Sequence, residues 1–406
     1  MEEPLSFYQE EIVLYQEQLT KVKSQLLTSS MIRLTVFLLA ACGVYVFYEN
    51  TRIVLGLVVV VFAIFLFLVS RHTDLQYKRD KLKKLISINE TEIQVLKRDF
   101  KDLPDGSAFK DDTHFYSQDI DLFGLGSFYQ YLNRTSLWEG SQMLASFLKG
   151  NETQNIGDKQ AALKELSRIP KWRQDFSATA SLAKTEITSK KVLQWIKNYT
   201  PFIPRFMRVL PFLFTGLSIL TFTFFLLDYL AATVLFYWLL LGLIITGTYT
   251  KKLTKLVSGT GKIQSLFEQY DQLLEGIETR NFKSELLKDK QLEIISQGRK
   301  TSVVLKEFSK LLADLDQNNN LLYLIFGNGL FLRGLHTAFK IEKWISLHGE
   351  FVEKWFNCIA FFDSYNSLGN FVFNHPDYTF PVLNENEVCI RSKQAGHPLL
   401  TLKRVC

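Results

Sequence analysis

Leu34-Thr-Val-Phe-Leu-Leu-Ala-Ala-Cys-Gly-Val-Tyr-Val-Phe-Tyr48 is followed, after Glu49-Asn-Thr-Arg52, by Ile53-Val-Leu-Gly-Leu-Val-Val-Val-Val-Phe-Ala-Ile-Phe-Leu-Phe-Leu-Val69. Two further apolar runs lie in mid-chain, Val209–Leu227 and Leu230–Tyr249, with Asp228 near their break. A bilayer-crossing helix needs roughly 17–25 mostly apolar residues. Three runs meet that length, and the first meets it if Met31 and Ile32 extend it past a snorkelling Arg33. Buried core helices are the alternative, but runs this free of charge lack the polar face that an ordinary surface helix keeps. The expectation is a mainly α fold with four transmembrane helices in two hairpins, at 32–69 and 201–249.

The flanking charges give the orientation. Lys21, Lys23 and Arg33 precede the first hairpin, and Arg71, Lys78, Arg79, Lys81, Lys83 and Lys84 follow it. Arg205 and Arg208 precede the second, and Lys251, Lys252 and Lys255 follow. Positive flanks stay cytoplasmic, so both short turns face out and both termini and the bulk of the chain face in. A multi-pass protein of the plasma or inner membrane is expected, with lipid as its first partner. The first run is no cleavable signal, because a polar helix precedes it and a second span follows. These flanks account for the net charge of +6 without invoking nucleic acid. Asn89, Asn133, Asn151 and Asn198 match the glycosylation pattern but would all lie inside, so they read as chance matches. Cys42, Cys358, Cys389 and Cys406 have no metal-ligand spacing, and a reducing compartment disfavours disulfides.

Seven-residue spacing marks the segments on either side of the first hairpin. Leu5, Ile12, Leu19 and Leu26 form one series with Tyr8, Tyr15 and Val22. Leu75, Leu82, Asn89 and Leu96 form another with Leu85, Ile86 and Ile93. Such seams bury one stripe of each helix against a partner, here as an antiparallel coiled coil in which Asn89 sets the register at a cost in stability. Amphipathic helices lying on the main body are the competing reading. A third series, Leu256, Ile263, Tyr270 and Ile277, is expected to form stalk helices over 250–301, paired with a helix containing Leu182, Leu193 and Ile196.

Between the hairpins lies Gln118-Asp-Ile-Asp-Leu-Phe-Gly-Leu-Gly-Ser-Phe-Tyr-Gln-Tyr-Leu-Asn-Arg-Thr-Ser-Leu-Trp-Glu-Gly140. Gly124 and Gly126 break the backbone, Ser127 is placed to cap a helix, and Thr135 and Ser136 can cap the next. The segment resembles the start of the core, or lever, region of the MutS mismatch-repair ATPases. The likeness is carried by Asn133-Arg134-Thr135, Gly140 and Lys159-Gln160. A second block, Ser302–Pro381, follows in the family's order and ends on Phe362-Asp-Ser-Tyr-Asn-Ser-Leu-Gly-Asn-Phe371, which resembles the family's last core helix. Tyr378-Thr-Phe-Pro-Val-Leu383 reads as a strand, and Gly396-His-Pro-Leu-Leu400 resembles the approach to the family's nucleotide-binding domain.

The resemblance implies ATP-dependent conformational change, mismatched-DNA binding and a homodimer in a complete member. It implies ATP and magnesium as that member's cofactors and places His397 and Pro398 beside its nucleotide pocket. No catalytic, cofactor-binding or metal residue is assigned to this chain itself. The expected division starts with a cytoplasmic helix 1–31, a hairpin 32–69, a stalk and linker 70–117 and a first core-like helical block 118–200. A second hairpin 201–249, stalk helices 250–301, a second core-like block 302–371 and the start of a truncated ATPase domain at 372–406 follow.

The departures from the family are equally specific. A phosphate-binding loop needs Gly-x-x-x-x-Gly-Lys-Ser/Thr. The nearest stretch, Ser258-Gly-Thr-Gly-Lys-Ile263, has Leu256 for the first glycine and Ile263 for the hydroxyl. Phe7-Tyr8-Gln9-Glu10 resembles the mismatch sensors' aromatic wedge only superficially, because Tyr8 lies on a heptad seam. The second hairpin occupies the chain position of the family's DNA clamp. Mismatch reading and DNA encirclement therefore have no residues here to carry them. The alternative function is a non-enzymatic membrane scaffold that binds a protein partner through its coiled stalks.

Overall fold

In the computed structural model the chain is mainly helical, and residues 3–150, 153–182, 188–258, 260–295, 298–384 and 390–400 are described. Asn151, Gly259, Cys389 and residues 401–406 lie outside them. The first hairpin is two continuous helices, α1 (Pro4–Val46) and α2 (Thr51–Leu96). At 1.5 Å per residue each is about 65–70 Å long, so stalk and apolar run form one rod with no joint between them. The rods pack against each other in both parts. In the stalk, Val22 and Leu26 meet Leu82 and Leu85, with Tyr15, Leu19, Leu75 and Ile88 beside them. Within the apolar part, a Cβ on Gly43 would lie 2.8 Å from Leu57 Cδ2, the close approach that small residues permit between helices in lipid.

Tyr8, Val22 and Leu26 are buried as the seven-residue series requires, but at its start Leu5 is exposed while Phe7 and Glu11 are buried. The coiled coil does not stand alone either, because Ala178 of α6 (Pro170–Leu182) closes the same cluster. In the structure α1 and α2 pair, and the pair lies on the helical body.

That body contains α3 (Phe128–Leu132), α4 (Trp138–Lys149), α5 (Ile156–Ser167), α6 and α7 (Ser189–Lys197) before the second hairpin. After the hairpin come α10 (Thr250–Val257), α11 (Thr260–Glu278), α12 (Glu285–Leu292) and α13 (Thr301–Asp316). Residues 250–301, expected as stalk, contribute instead to the main core. Ile263, Phe267, Tyr270, Leu274 and Ile277 of α11 are buried there with Leu305, Phe308 and Leu312 of α13. The seven-residue spacing does mark a buried seam, but its main partner is a downstream helix rather than the one containing Leu193 and Ile196. Phe308 and Trp344 stack at 3.9 Å in the middle of this core.

The second apolar pair forms α8 (Leu210–Leu226) and α9 (Ala232–Gly247), joined through Asp228 in a left-handed turn. Among the described residues two helices, α1 and α2, are long and apolar enough to cross a membrane. There are three if α9 and α10, which meet at a 67° bend, count as one span. Residues 321–331, expected within the second core block, fold differently. A π-helical turn at Tyr323–Gly327 leads into the one-turn α14 (Asn328–Phe331), and a left-handed Leu332 starts α15 (Arg333–His348). This apolar wedge lies on α8 and α9 with Leu321, Leu322 and Phe326 exposed. Gly329 fits beneath Gly242 so closely that a Cβ on Gly242 would overlap the Gly329 carbonyl oxygen. Ser218 Oγ donates to the Leu330 carbonyl at 2.6 Å and accepts from Trp238 Nε1 at 2.8 Å. Irregular backbone beside apolar helices requires this kind of side-chain partner.

The last helix, α16 (Val352–Asn374), crosses the body and touches α3, α4, α5 and α6. Beyond it, Tyr378-Thr-Phe-Pro-Val-Leu383 is not a strand, correcting the expected β start. No β-strand occurs among the described residues, so its backbone has no ladder to join.

Candidate functional site

The Asn133-Arg134-Thr135 turn and the end of α16 meet the two long rods at one place, whereas Gln160 lies apart and donates to the Pro381 carbonyl at 2.9 Å. Asn133 Oδ1 accepts from the amide of Thr135 at 3.0 Å and its hydroxyl at 2.6 Å, which folds the Asn-Arg-Thr turn on itself. That leaves Arg134 projecting toward α2, where Nε donates to Glu92 Oε1 at 2.6 Å. The Arg134 amide donates to Ser367 Oγ at 2.9 Å, and that hydroxyl donates to the Leu132 carbonyl at 2.9 Å. Glu92 is 2% exposed, and its second oxygen accepts from Asn374 Nδ2 at 2.8 Å. Removing one partner of so enclosed an ion pair strands the other charge.

From Asn374 the network continues to the foot of α1. The Tyr8 hydroxyl donates to Asn374 Oδ1 at 2.7 Å, and the rings of Phe7 and Tyr8 pack edge-on against Phe373. Arg173 of α6 donates from Nη1 to Asn370 Oδ1 at 2.7 Å and from Nε to the Leu166 carbonyl at 2.8 Å. Burial lowers its pKa to about 10, with Tyr8 and Glu92 opposing that shift. Asn89 does not pair across the coiled coil as expected. It exchanges amide hydrogen bonds with Gln174 of α6, at 2.9 and 3.3 Å. Lys171–Glu11 and Lys81–Asp175, both at 2.7 Å, fasten the two rods to α6 from the outside.

A second buried carboxylate organises the same turn. Asp363 of α16 accepts from the amides of Ser136 and Leu137, at 3.1 and 2.9 Å, capping the start of α4. A Cβ on Gly140 would overlap Asp363 Oδ2. Glycine is therefore required at that position to admit the carboxylate. Desolvation raises the Asp363 pKa to about 7 against the pull of those two amides.

His397 and Pro398, the two residues that the resemblance singles out, do not join this constellation. His397 is exposed, and the Pro398 carbonyl accepts from Arg98 just beyond α2. Arg98 also lies over the Tyr131 ring, so the tail is held to the body at the end of the rod. Ile263, at the rejected phosphate-loop stretch, is a core residue. Asn89 and Asn133 are buried, consistent with chance glycosylation matches.

Glu92, Arg173, Asn370 and Asn374 went unassigned in the sequence. Glu92 had a signal: it stands three residues after Asn89, as Leu85 does after Leu82, which puts a carboxylate on the buried seam. Arg173 and the α16 asparagines had none, because only the fold brings them to Glu92. No known protein family, curated protein or solved structure matches this chain.

Proposed function

We propose that this chain is the membrane-anchored lever region of a MutS-like protein, in which the helical body moves as a unit with its membrane hairpins. One observation carries the reading. The two blocks that resemble the family's lever, separated in sequence by the second hairpin, close on each other around α16. Arg134 of the first block and Asn374 at the end of the second grip the same carboxylate, Glu92, on the long rod α2. A shift of α16 would therefore be passed to α2 through charged hydrogen bonds, which hold geometry more tightly than neutral ones.

Four spans complete this proposal. Helices α8 and α9 are about 25 Å long by their residue rise, short of the roughly 30 Å hydrocarbon core. Their outward faces are apolar nonetheless, with Phe212, Leu217, Leu220, Phe236 and Ile244 exposed. Arg205, Arg208, Lys251, Lys252 and Lys255 gather at the same end, as a cytoplasmic face requires. The described residues contain no phosphate-binding loop, so no nucleotide step is assigned to them. ATP, magnesium, a homodimeric partner and DNA belong to the complete protein in this proposal.

The coding DNA beyond the Cys406 codon tests it. The expected result is an open frame running into Gly-x-x-x-x-Gly-Lys-Ser/Thr. A stop with no such downstream loop would instead favour a scaffold that binds a protein partner. DNA binding is checked separately by titration of the complete protein at low and high salt. Absence of binding at low salt would overturn a direct repair role.

A further inference from the structure

The joint between rod and body holds a half-open cavity of about 160 Å³, lined among others by Lys84, Thr91, Glu92, Arg134, Arg173 and Asn366. Its floor is polar and incompletely bonded. Arg173 is 3% exposed, its hydrogen bonds go to two neutral oxygens, and Nη2 has no partner. Beside it Asn366, also 3% exposed, has both its amide nitrogen and its amide oxygen unpartnered. Each such group forfeits hydrogen bonds that it would make in water. At the mouth stands Lys84, which is exposed, with the hydroxyls of Ser87 and Thr91 on the same wall.

Charge decides what fits. Three cations line the cavity, and the only carboxylate among its lining residues, Glu92, is already held by Arg134. The lining therefore carries an excess of two positive charges. A buried guanidinium without a touching counter-ion is costly, and a bound dianion would relieve that cost.

We propose that this cavity binds a small oxyanion of phosphate size, as the free ion or as the phosphate end of a soluble monoester. Arg173 supplies charge at the floor beside the Asn366 amide, and Lys84 supplies charge at the mouth. A lipid headgroup does not reach it. Lys84 and Glu92 follow the end of the apolar run at Val69 by about 22 and 35 Å of helix. Because the walls come from α2, α6, the Asn-Arg-Thr turn and α16, an occupant would tighten the contact through which rod and body are joined. The proposal does not depend on the MutS-like reading.

Thermal unfolding of the full chain in lipid nanodiscs tests this, with inorganic phosphate compared against sodium chloride of equal ionic strength. A ligand bound only by the folded state raises Tm progressively with its concentration. The expected result is a rise with phosphate that chloride does not reproduce. Lys84→Glu, at an exposed position that leaves the fold intact, weakens the phosphate response by about tenfold in concentration. Asn366→Leu removes both unpartnered amide atoms, so it melts no lower than the parent without phosphate and loses the phosphate response. Glycerol phosphate separates the sources: a response equal to that of phosphate assigns a monoester, and none confines the site to the free ion. Identical curves in phosphate and chloride, or an undiminished phosphate response in Asn366→Leu, would overturn the proposal and leave water as the occupant.

Discussion

At the scale of single residues, Asp363 is the position where a function-like motif has a purely physical cause. Gly140 is within the stretch that resembles a repair-protein lever, and it is glycine because the Asp363 carboxylate occupies the space of a Cβ. Burial holds the Asp363 pKa at about 7 instead of 3.8, so the folded state takes up a proton where the unfolded chain has none. Its contribution is fully present below pH 3.8 and is lost as pH rises through about 7. Asp271, also raised to about 7 by burial, acts in the same direction. Asp363→Asn keeps an oxygen for the Ser136 and Leu137 amides and cannot ionise. Melting curves across that pH window should show a smaller fall in Tm for this variant than for the parent. An unchanged slope would mean that Asp363 ionises freely in the folded protein.

At the scale of elements, the sequence was most legible where periodicity and burial agree. Apolar runs without charge became α1, α2, α8 and α9, and the Gly124-to-Ser127 turn leads into α3 with Ser127 Oγ accepting from the Gln130 amide. Legibility failed where an element depends on a distant partner. The stretch 378–383 alternates like a strand, but a strand is defined by a neighbour that residue pattern alone does not supply. The wedge 321–331 was hidden for a related reason. Its short apolar run reads as core helix, and the fit of Gly329 under Gly242 together with the Ser218–Leu330 hydrogen bond assigns it to the second hairpin. That fit gives a contrast between two glycines of one hairpin. Gly242→Val forces overpacking that typically costs about 1–3 kcal/mol and separates Leu330 from Ser218. Gly216→Ala, with nothing within 4 Å of the new methyl, should be neutral or stabilising by up to about 1 kcal/mol. Unfolding in nanodiscs measures both. Trp238 fluorescence reports the wedge, since its indole donates to Ser218 and stacks on Phe214 at 4.6 Å. Equal behaviour of the two variants would mean that the wedge does not seat on α9.

At the scale of the whole molecule, the organising fact is that the body hangs on rods that are continuous into the apolar region. The rods carry no break between Pro4 and Val46 or between Thr51 and Leu96, so force applied at the joint is transmitted along them with little bending. That argument needs the turn at Glu49 and Asn50 on the far side of the bilayer from Glu92. The four-span reading adds the turn at Asp228 and Tyr229 on that far side as well. Single cysteines decide both, introduced in a background with Cys42, Cys389 and Cys406 replaced by alanine and the buried Cys358 kept. Glu49→Cys and Tyr229→Cys should react with a membrane-impermeant maleimide on intact cells, whereas Lys83→Cys should react only after permeabilisation. Labelling at Glu49→Cys without labelling at Tyr229→Cys would make α8 and α9 a re-entrant pair. In that case the rods alone would carry the anchor, and the wedge would line a half-inserted hairpin. Labelling of Lys83→Cys from outside would invert the molecule, contradict the charge flanks, and remove the cytoplasmic lever from the proposal altogether.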